Sequence, residues 1–278
     1  MKMRIVSLVP AHTEILFALG LGEQVVGVTA HCDYPPPVAA KDRVGFFNRP
    51  EPEKIMALRP DLVLAGGPIH HDCGEKLLQM GARVFHFAPR TVQELLQGMD
   101  DLAEITGAGE EGHRLVAGLK ERVVLLRERV RDFPRPRVMF IMGEEPLVTP
   151  GPASIQYDAL GMAGAALMPA GEDKSAIFLS RDDITGFDPE IILACGQNPF
   201  APPRKRCPGC TLKNPPCMRD VEKIKNHPLL AGVAAVQEGM VFTIPCHWLC
   251  RPGPRLIEGM ERISHLCQEF RGKPFGMK

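Results

Sequence analysis

The sequence predicts an α/β fold of two lobes with mostly parallel sheets, joined by one long α-helix. Three observations carry this. Short apolar runs of strand type alternate with helical stretches, the order that builds parallel sheets. One amphipathic stretch is much longer than the helices around it. A segment of the second half repeats one in the first. The expected boundaries are an N-terminal lobe over 1–107, a linking helix over 108–132, and a C-terminal lobe over 133–278 with a cysteine-rich insertion near 198–220.

In order, Arg4–Val9 reads as the first strand and Thr13–Leu19 as the first helix, stopped by Gly20 and Gly22. Val25–Val28 is a short strand. A helix starts near Glu51, where Pro50 and Pro52 suit a first turn, and ends before Pro60. Asp61–Ala65 has the unbroken apolar character of a buried parallel strand. A helix over Glu75–Met80 closes at Gly81, and a strand follows near Val84–Phe87. Leu115, Leu119, Val123, Leu126 and Val130 then recur at helical spacing among charged residues. A helix of that length spans ~37 Å at 1.5 Å per residue. Pro134 and Pro136 stop it, and Arg137–Ile141 opens the second sheet.

The repeat sets Glu53-x-Ile55-x-x-x-x-Pro60-Asp61-Leu62-Val63-Leu64-Ala65-Gly66-Gly67 beside Asp182-x-Ile184-x-x-x-x-Pro189-Glu190-Ile191-Ile192-Leu193-Ala194-Cys195-Gly196. Acid and proline are seven residues apart in both. Pro60 lies 24 residues before Val84, whereas Pro189 lies 52 before Val241. The second copy therefore carries an insertion before its last strand.

Composition narrows the function. The 278 residues hold 33 Lys+Arg and 33 Asp+Glu, so the chain lacks the basic footprint of a nucleic-acid binder. The longest apolar run, Ile15–Leu21, is far short of the ~18–20 residues of a membrane helix. Met1–Arg4 runs straight into a strand with no secretory pattern. The chain as given therefore reads as cytoplasmic, or as periplasmic if a leader has been removed. No phosphate-loop, dinucleotide or nucleophile-elbow motif occurs at the expected places, so a binding role is favoured over catalysis.

In open α/β sheets, ligands bind beyond the carboxyl ends of the strands. The groups following those ends are His12, His31, His70 and His71 in the first half, and Glu144, Cys195, Cys246, His247, Trp248 and Cys250 in the second. Each also has a plainer role open to it, as a core or surface residue.

Cysteine usage is a separate signal. Nine is an odd number, so a full disulfide set within one chain is impossible. Cys207-x-x-Cys210 with Cys217 puts three thiols in one segment. Gly209 permits a tight turn, and Arg204, Lys205 and Arg206 favour thiolate. With a fourth ligand, Cys246 in first place and Cys250 or Cys195 otherwise, the set suits a 4Fe–4S cluster or zinc. A flexible insertion with a labile disulfide is the other reading.

Ser7-Leu8-Val9-Pro10-Ala11-His12-Thr13-Glu14, Val26-Gly27-Val28, Cys32-Asp33-Tyr34-Pro35-Pro36, Ile55-x-x-Leu58-x-Pro60-Asp61-Leu62-Val63 and Arg251-Pro252-Gly253-Pro254-Arg255-Leu256 together resemble the cobalamin-type substrate-binding proteins of ABC importers. The resemblance covers nearly the whole chain. It implies two Rossmann-like lobes joined by a helix, with a corrinoid held between them. It also implies one acid per lobe facing permease arginines, here Glu53 and Asp182. Phe46 and Phe47 take the place of a ligand-facing aromatic, and Trp248 matches an aromatic-bearing loop. His31 stands where the family has a tyrosine, and Ser175-Ala176-Ile177-Phe178 lacks the family's tryptophan. The cysteine-rich insertion is not a general family feature.

The function expected is thus binding of cobalamin or another corrinoid by His12, His31, Phe46, Phe47, His70, His71, Glu144, His247 and Trp248. The alternative is an iron–sulfur or zinc metalloprotein with a redox or assembly role. A transport component for haem or a siderophore is a third reading.

Overall fold

The computed structural model describes residues 2–196, 218–219 and 221–272. They form two compact units. One holds residues up to Pro89 together with Gln93–Lys120; the other holds Arg90–Val92 and the described residues from Glu121 on.

The first unit opens with β1 (Ile5–Ser7), α1 (Pro10–Ala18), β2 (Val25–Val28) and β3 (Asp42–Arg43). A hairpin of β4 (Gly45–Phe46) and β5 (Arg49–Pro50) leads into α2 (Pro52–Ala57), β6 (Leu62–Ala65), α3 (His71–Gln79) and β7 (Val84–His86). The sheet order is β3-β2-β1-β6-β7, parallel throughout. Val6, Leu8, Val44, Ile55, Val63, Ala65 and Leu77 pack one buried cluster. The sheet strands are short apolar runs because helices bury them.

Next come α4 (Val92–Thr106) and α5 (Gly109–Val130). The second unit continues with β8 (Val138–Ile141), β9 (Gly143–Glu144), β10 (Leu147–Pro150), α6 (Ile155–Met162), β11 (Ala176–Phe178) and α7 (Arg181–Phe187). It ends with β12 (Ile191–Cys195), α8 (Val221–Lys225), α9 (Ala234–Gln237), β13 (Val241–Ile244) and α10 (Pro254–Gly272). Its parallel sheet runs β13-β12-β8, and β11-β10-β9 form a separate antiparallel sheet. Arg122 of α5 grips both carboxylate oxygens of Glu261 on α10, at 2.8 and 2.7 Å.

The sequence repeat is a structural repeat. Ile5 pairs with Leu62 across β1–β6, and Val138 with Ile191 across β8–β12, each in parallel register. Before each proline the chain turns through a left-handed residue, Arg59 at φ 48° and Asp188 at φ 43°. The acid after each proline receives the backbone N–H of the arginine that precedes the opening strand. Arg4 donates to Asp61 at 2.7 Å and Arg137 to Glu190 at 2.9 Å. The same arginines bond carbonyls of the preceding turn, Leu58 in one copy and Asp188 in the other.

Several elements differ from expectation. α1 starts at Pro10 rather than Thr13, because proline at the first helical position loses no hydrogen bond. α3 begins at His71, four residues before the expected start. The long helix covers 109–130. α4 and the antiparallel sheet have no counterpart in the sequence reading.

Candidate functional site

In the first unit the strand ends gather imidazole and phenyl rings. Gly45 makes the hairpin: at φ 105° a Cβ there meets the Arg49 carbonyl at 2.7 Å. The turn presents Phe46 and Phe47, both half-buried. His31, following β2, lies edge-on to both, with ring centroids 6.5 and 6.1 Å away. It also accepts the Phe47 N–H at Nδ1, at 3.2 Å. His70, wholly buried after β6, contacts the Phe47 ring at 5.2 Å.

The hydrogen bonds assign the His70 tautomer. Gly66 N–H donates to Nδ1 at 2.8 Å, so Nε2 carries the proton it donates to the Phe47 carbonyl at 2.5 Å. Burial lowers its pKa, the Phe47 carbonyl opposes that, and His86 lowers it further. His12 is buried in α1 against Phe87, with centroids 5.3 Å apart. Burial, with a smaller contribution from His70, lowers its pKa from 6.5 to about 3, so it is neutral. His71 is exposed, and with Asp72, Glu75 and His86 it lines a cavity of about 500 Å³. The structure thus brings His31, Phe46, Phe47 and His70 into one cluster. His12 lies in the core and His71 on the surface.

Beneath these groups is a polar knot that the sequence reading missed. The Thr13 hydroxyl can donate to Ser7 (2.9 Å), Cys32 (3.1 Å) or the Val9 carbonyl (3.2 Å), and Thr29 lies 3.4 Å from the same sulfur. Burial pushes the Cys32 thiol pKa up, which keeps it protonated. It serves here as a small buried residue.

In the second unit, Glu144 at the end of β9 pairs with the guanidinium of Arg219. Arg219 is buried and also donates to the carbonyls of Ile141 and Met142, at 3.0 and 3.2 Å. As a lone basic residue at the end of the cysteine-rich insertion, it gave no sequence signal. His247 is buried beside Trp248, ring edge to face at 6.1 Å. The Arg262 guanidinium lies over the indole at 4.8 Å. Gly259 of α10 permits this approach, since a Cβ there meets the Trp248 carbonyl at 2.2 Å.

Cys207, Cys210 and Cys217 lie outside the described residues. Cys246 touches Cys195, whose pKa is raised by Cys246, by Cys250 and then by burial. Among the described residues no group of three or more His, Cys, Asp or Glu is arranged to hold a metal ion. No described helix is long and apolar enough to cross a membrane. Glu53 and Asp182 occupy the first turns of α2 and α7, both exposed, and Glu53 pairs with Lys76 at 2.6 Å.

A family model described as periplasmic binding protein matches residues 5–246. The vitamin B12-binding protein of Photorhabdus laumondii is 27% identical over 272 residues, 96% of this chain and 88% of that protein. The periplasmic vitamin B12 binding protein BtuF of Vibrio cholerae superposes with a TM-score of 0.78 at 22% identity, over 98% of both chains. The apo periplasmic heme-binding protein RhuT from Roseiflexus sp. RS-1 does so at 0.79 and 23%, over 98% of this chain and 100% of that one. The two structures show a shared fold, and the family match covers most of the sequence. The chain therefore belongs to the periplasmic binding protein family, with class III members as its structural neighbours.

Proposed function

We propose that this chain binds a corrinoid as an importer-type substrate-binding protein. The carrying observation is the ring cluster of the first unit. Phe46, Phe47 and His31 offer apolar ring surface beside polar imidazole edges, which suits a large flat macrocycle with an apolar face and amide-bearing rim. Similarity over 96% of the chain to a protein named for vitamin B12 supports the same ligand. In this reading His71 is a further ligand contact of the first unit, while His12 supports the cluster from the core; Trp248, His247 and Glu144 are the candidates of the second unit. Glu53 and Asp182, equivalent through the internal repeat, face the permease.

Haem is the second reading, favoured by the equally good superposition on a heme-binding protein and by the imidazole content of the cluster. Calorimetric and absorption titrations with cobalamin and with haem, run in parallel, separate the two. Saturable binding of cobalamin at roughly micromolar or tighter affinity is expected. Heat-silent mixing with an unchanged spectrum overturns the corrinoid reading, and saturation by haem alone replaces it. Metal analysis of oxygen-free protein tests Cys207, Cys210, Cys217 and Cys246. A brown sample marks a cluster and stoichiometric zinc a structural ion.

A further inference from the structure

Three thiols converge in the second unit, and ligand binding uses none of them. Cys195 ends β12 and is buried. Cys246 and Cys250 follow β13, both half-exposed. The Cys250 N–H donates to the Cys246 carbonyl at 2.7 Å, so one turn of chain holds both within reach of Cys195. The sulfurs of Cys195 and Cys250 are 2.9 Å apart, and the Cys246 thiol also hydrogen-bonds to Cys195.

Grouped thiols serve either a metal ion or a disulfide, and the spacing decides between them. Sulfurs bound to zinc at about 2.3 Å stand roughly 3.7 Å from one another around the ion. The Cys195–Cys250 pair is much closer than that. A disulfide needs contraction to about 2.05 Å, along a line on which the two sulfurs are already in contact.

We propose that Cys195 and Cys250 form a dithiol–disulfide site whose co-reactant is a small-molecule disulfide. The half-exposed Cys250 meets the reagent first. As a thiolate it attacks one sulfur of the external disulfide, forming a mixed disulfide and releasing one thiol, which takes up the proton Cys250 gave. The Cys195 sulfur then attacks Cys250 Sγ, forms the internal bond and expels the second external thiol, which carries off the Cys195 proton. Two protein thiols are oxidised by two electrons, and one external disulfide is reduced to two thiols. Cys246 is the thiol that competes for Cys195. The new bond ties the end of β12 to the turn bearing His247 and Trp248, across 55 positions of sequence.

The test uses the full 278-residue chain. Reduced protein is equilibrated with oxidised glutathione over a range of ratios, alkylated under denaturing conditions, digested and mapped by mass spectrometry. A peptide pair joining Cys195 to Cys250 is expected, with a two-electron dependence on the glutathione ratio. In Cys246→Ser/Cys250→Ser, which leaves Cys195 without either neighbouring thiol, the oxidised fraction of Cys195 should fall at least tenfold at the same ratio. Cys73→Ser, a half-exposed cysteine of α3, should leave the link unchanged. Separate alkylation of Cys195 and Cys250 in oxidised wild-type protein overturns the proposal. So does a map joining Cys195 to Cys246 or to a cysteine of the 207–217 segment instead. Equal oxidation of Cys195 in that double variant and in wild type also overturns it. Wild-type mapping decides by itself if a variant folds poorly.

Discussion

The two units share a frame and differ at its open ends. In both, an arginine before the opening strand reaches an acid that follows a left-handed residue and a proline. In both, the opening strand lies in parallel register beside the strand after that acid. Beyond that strand the likeness stops. β6 leads through Gly66 to a buried imidazole that ties down a phenylalanine hairpin. β12 ends in a thiol that meets two more. The frame depends on backbone geometry and two backbone-to-carboxylate hydrogen bonds, so it leaves the side chains at the carboxyl ends free to vary. Those ends are where α/β sheets carry their chemistry.

The comparison can be broken most forcefully by acid. His12 in the first unit has a folded pKa of about 3, below its usual 6.5. The unfolded chain therefore takes up the proton first. The stability this burial implies is full above pH 6.5 and is lost as pH falls toward 3. Urea unfolding should show a loss of about 1.4 kcal/mol per pH unit in that window. His12→Gln should remove this dependence; an unchanged slope would assign it to other groups.

Next in size are the two close-packed glycines. Gly45→Val forces a branched side chain onto a positive φ and into the Arg49 carbonyl. Gly259→Val drives one into the Trp248 carbonyl. Each should cost about 3 kcal/mol by denaturant unfolding. Gly45→Val should weaken cobalamin binding more than its loss of stability explains, because it displaces Phe46 and Phe47.

A smaller contrast sharpens the anchors. Glu190 is buried, whereas Asp61 is exposed. Glu190→Ala strands the Arg137 N–H away from water and should cost about 2 kcal/mol, while Asp61→Ala should cost about 0.5 kcal/mol. Equal costs would mean the two copies anchor their strands with equal force. The smallest effect on the fold belongs to the proposed docking acids. Glu53→Gln with Asp182→Asn should shift the unfolding midpoint only slightly and leave the cobalamin titration unchanged while abolishing permease-dependent uptake. Unimpaired uptake would remove these residues from docking.

Much of this frame was legible because it is local. The acid–proline spacing, the apolar strand runs and the long amphipathic helix each lie within a short window. α4 went unread although its pattern is local: Val92, Leu95, Leu96, Met99, Leu102 and Ala103 recur at helical spacing and are all buried. The antiparallel sheet was not, since Leu147–Pro150 pairs with Ala176–Phe178 across a long connection that no local periodicity marks. The strand-end rule pointed to His31, His70, Cys195 and Cys250, and the resemblance to Phe46 and Phe47; the structure places His31 and His70 against the hairpin rings and Cys195 beside Cys250. The rule could not separate His70 from His71. Adjacent in sequence, they stand on either side of a helix start, one wholly buried and one exposed.

His70 spends both ring nitrogens on the backbone, accepting at one and donating at the other. A cobalt or iron centre that recruited this imidazole as an axial base would have to sever the link to Gly66 or the link to Phe47. Coordination there and an intact aromatic hairpin are in competition. A macrocycle resting against Phe46 and Phe47 is therefore better served if its metal draws its nitrogen from elsewhere.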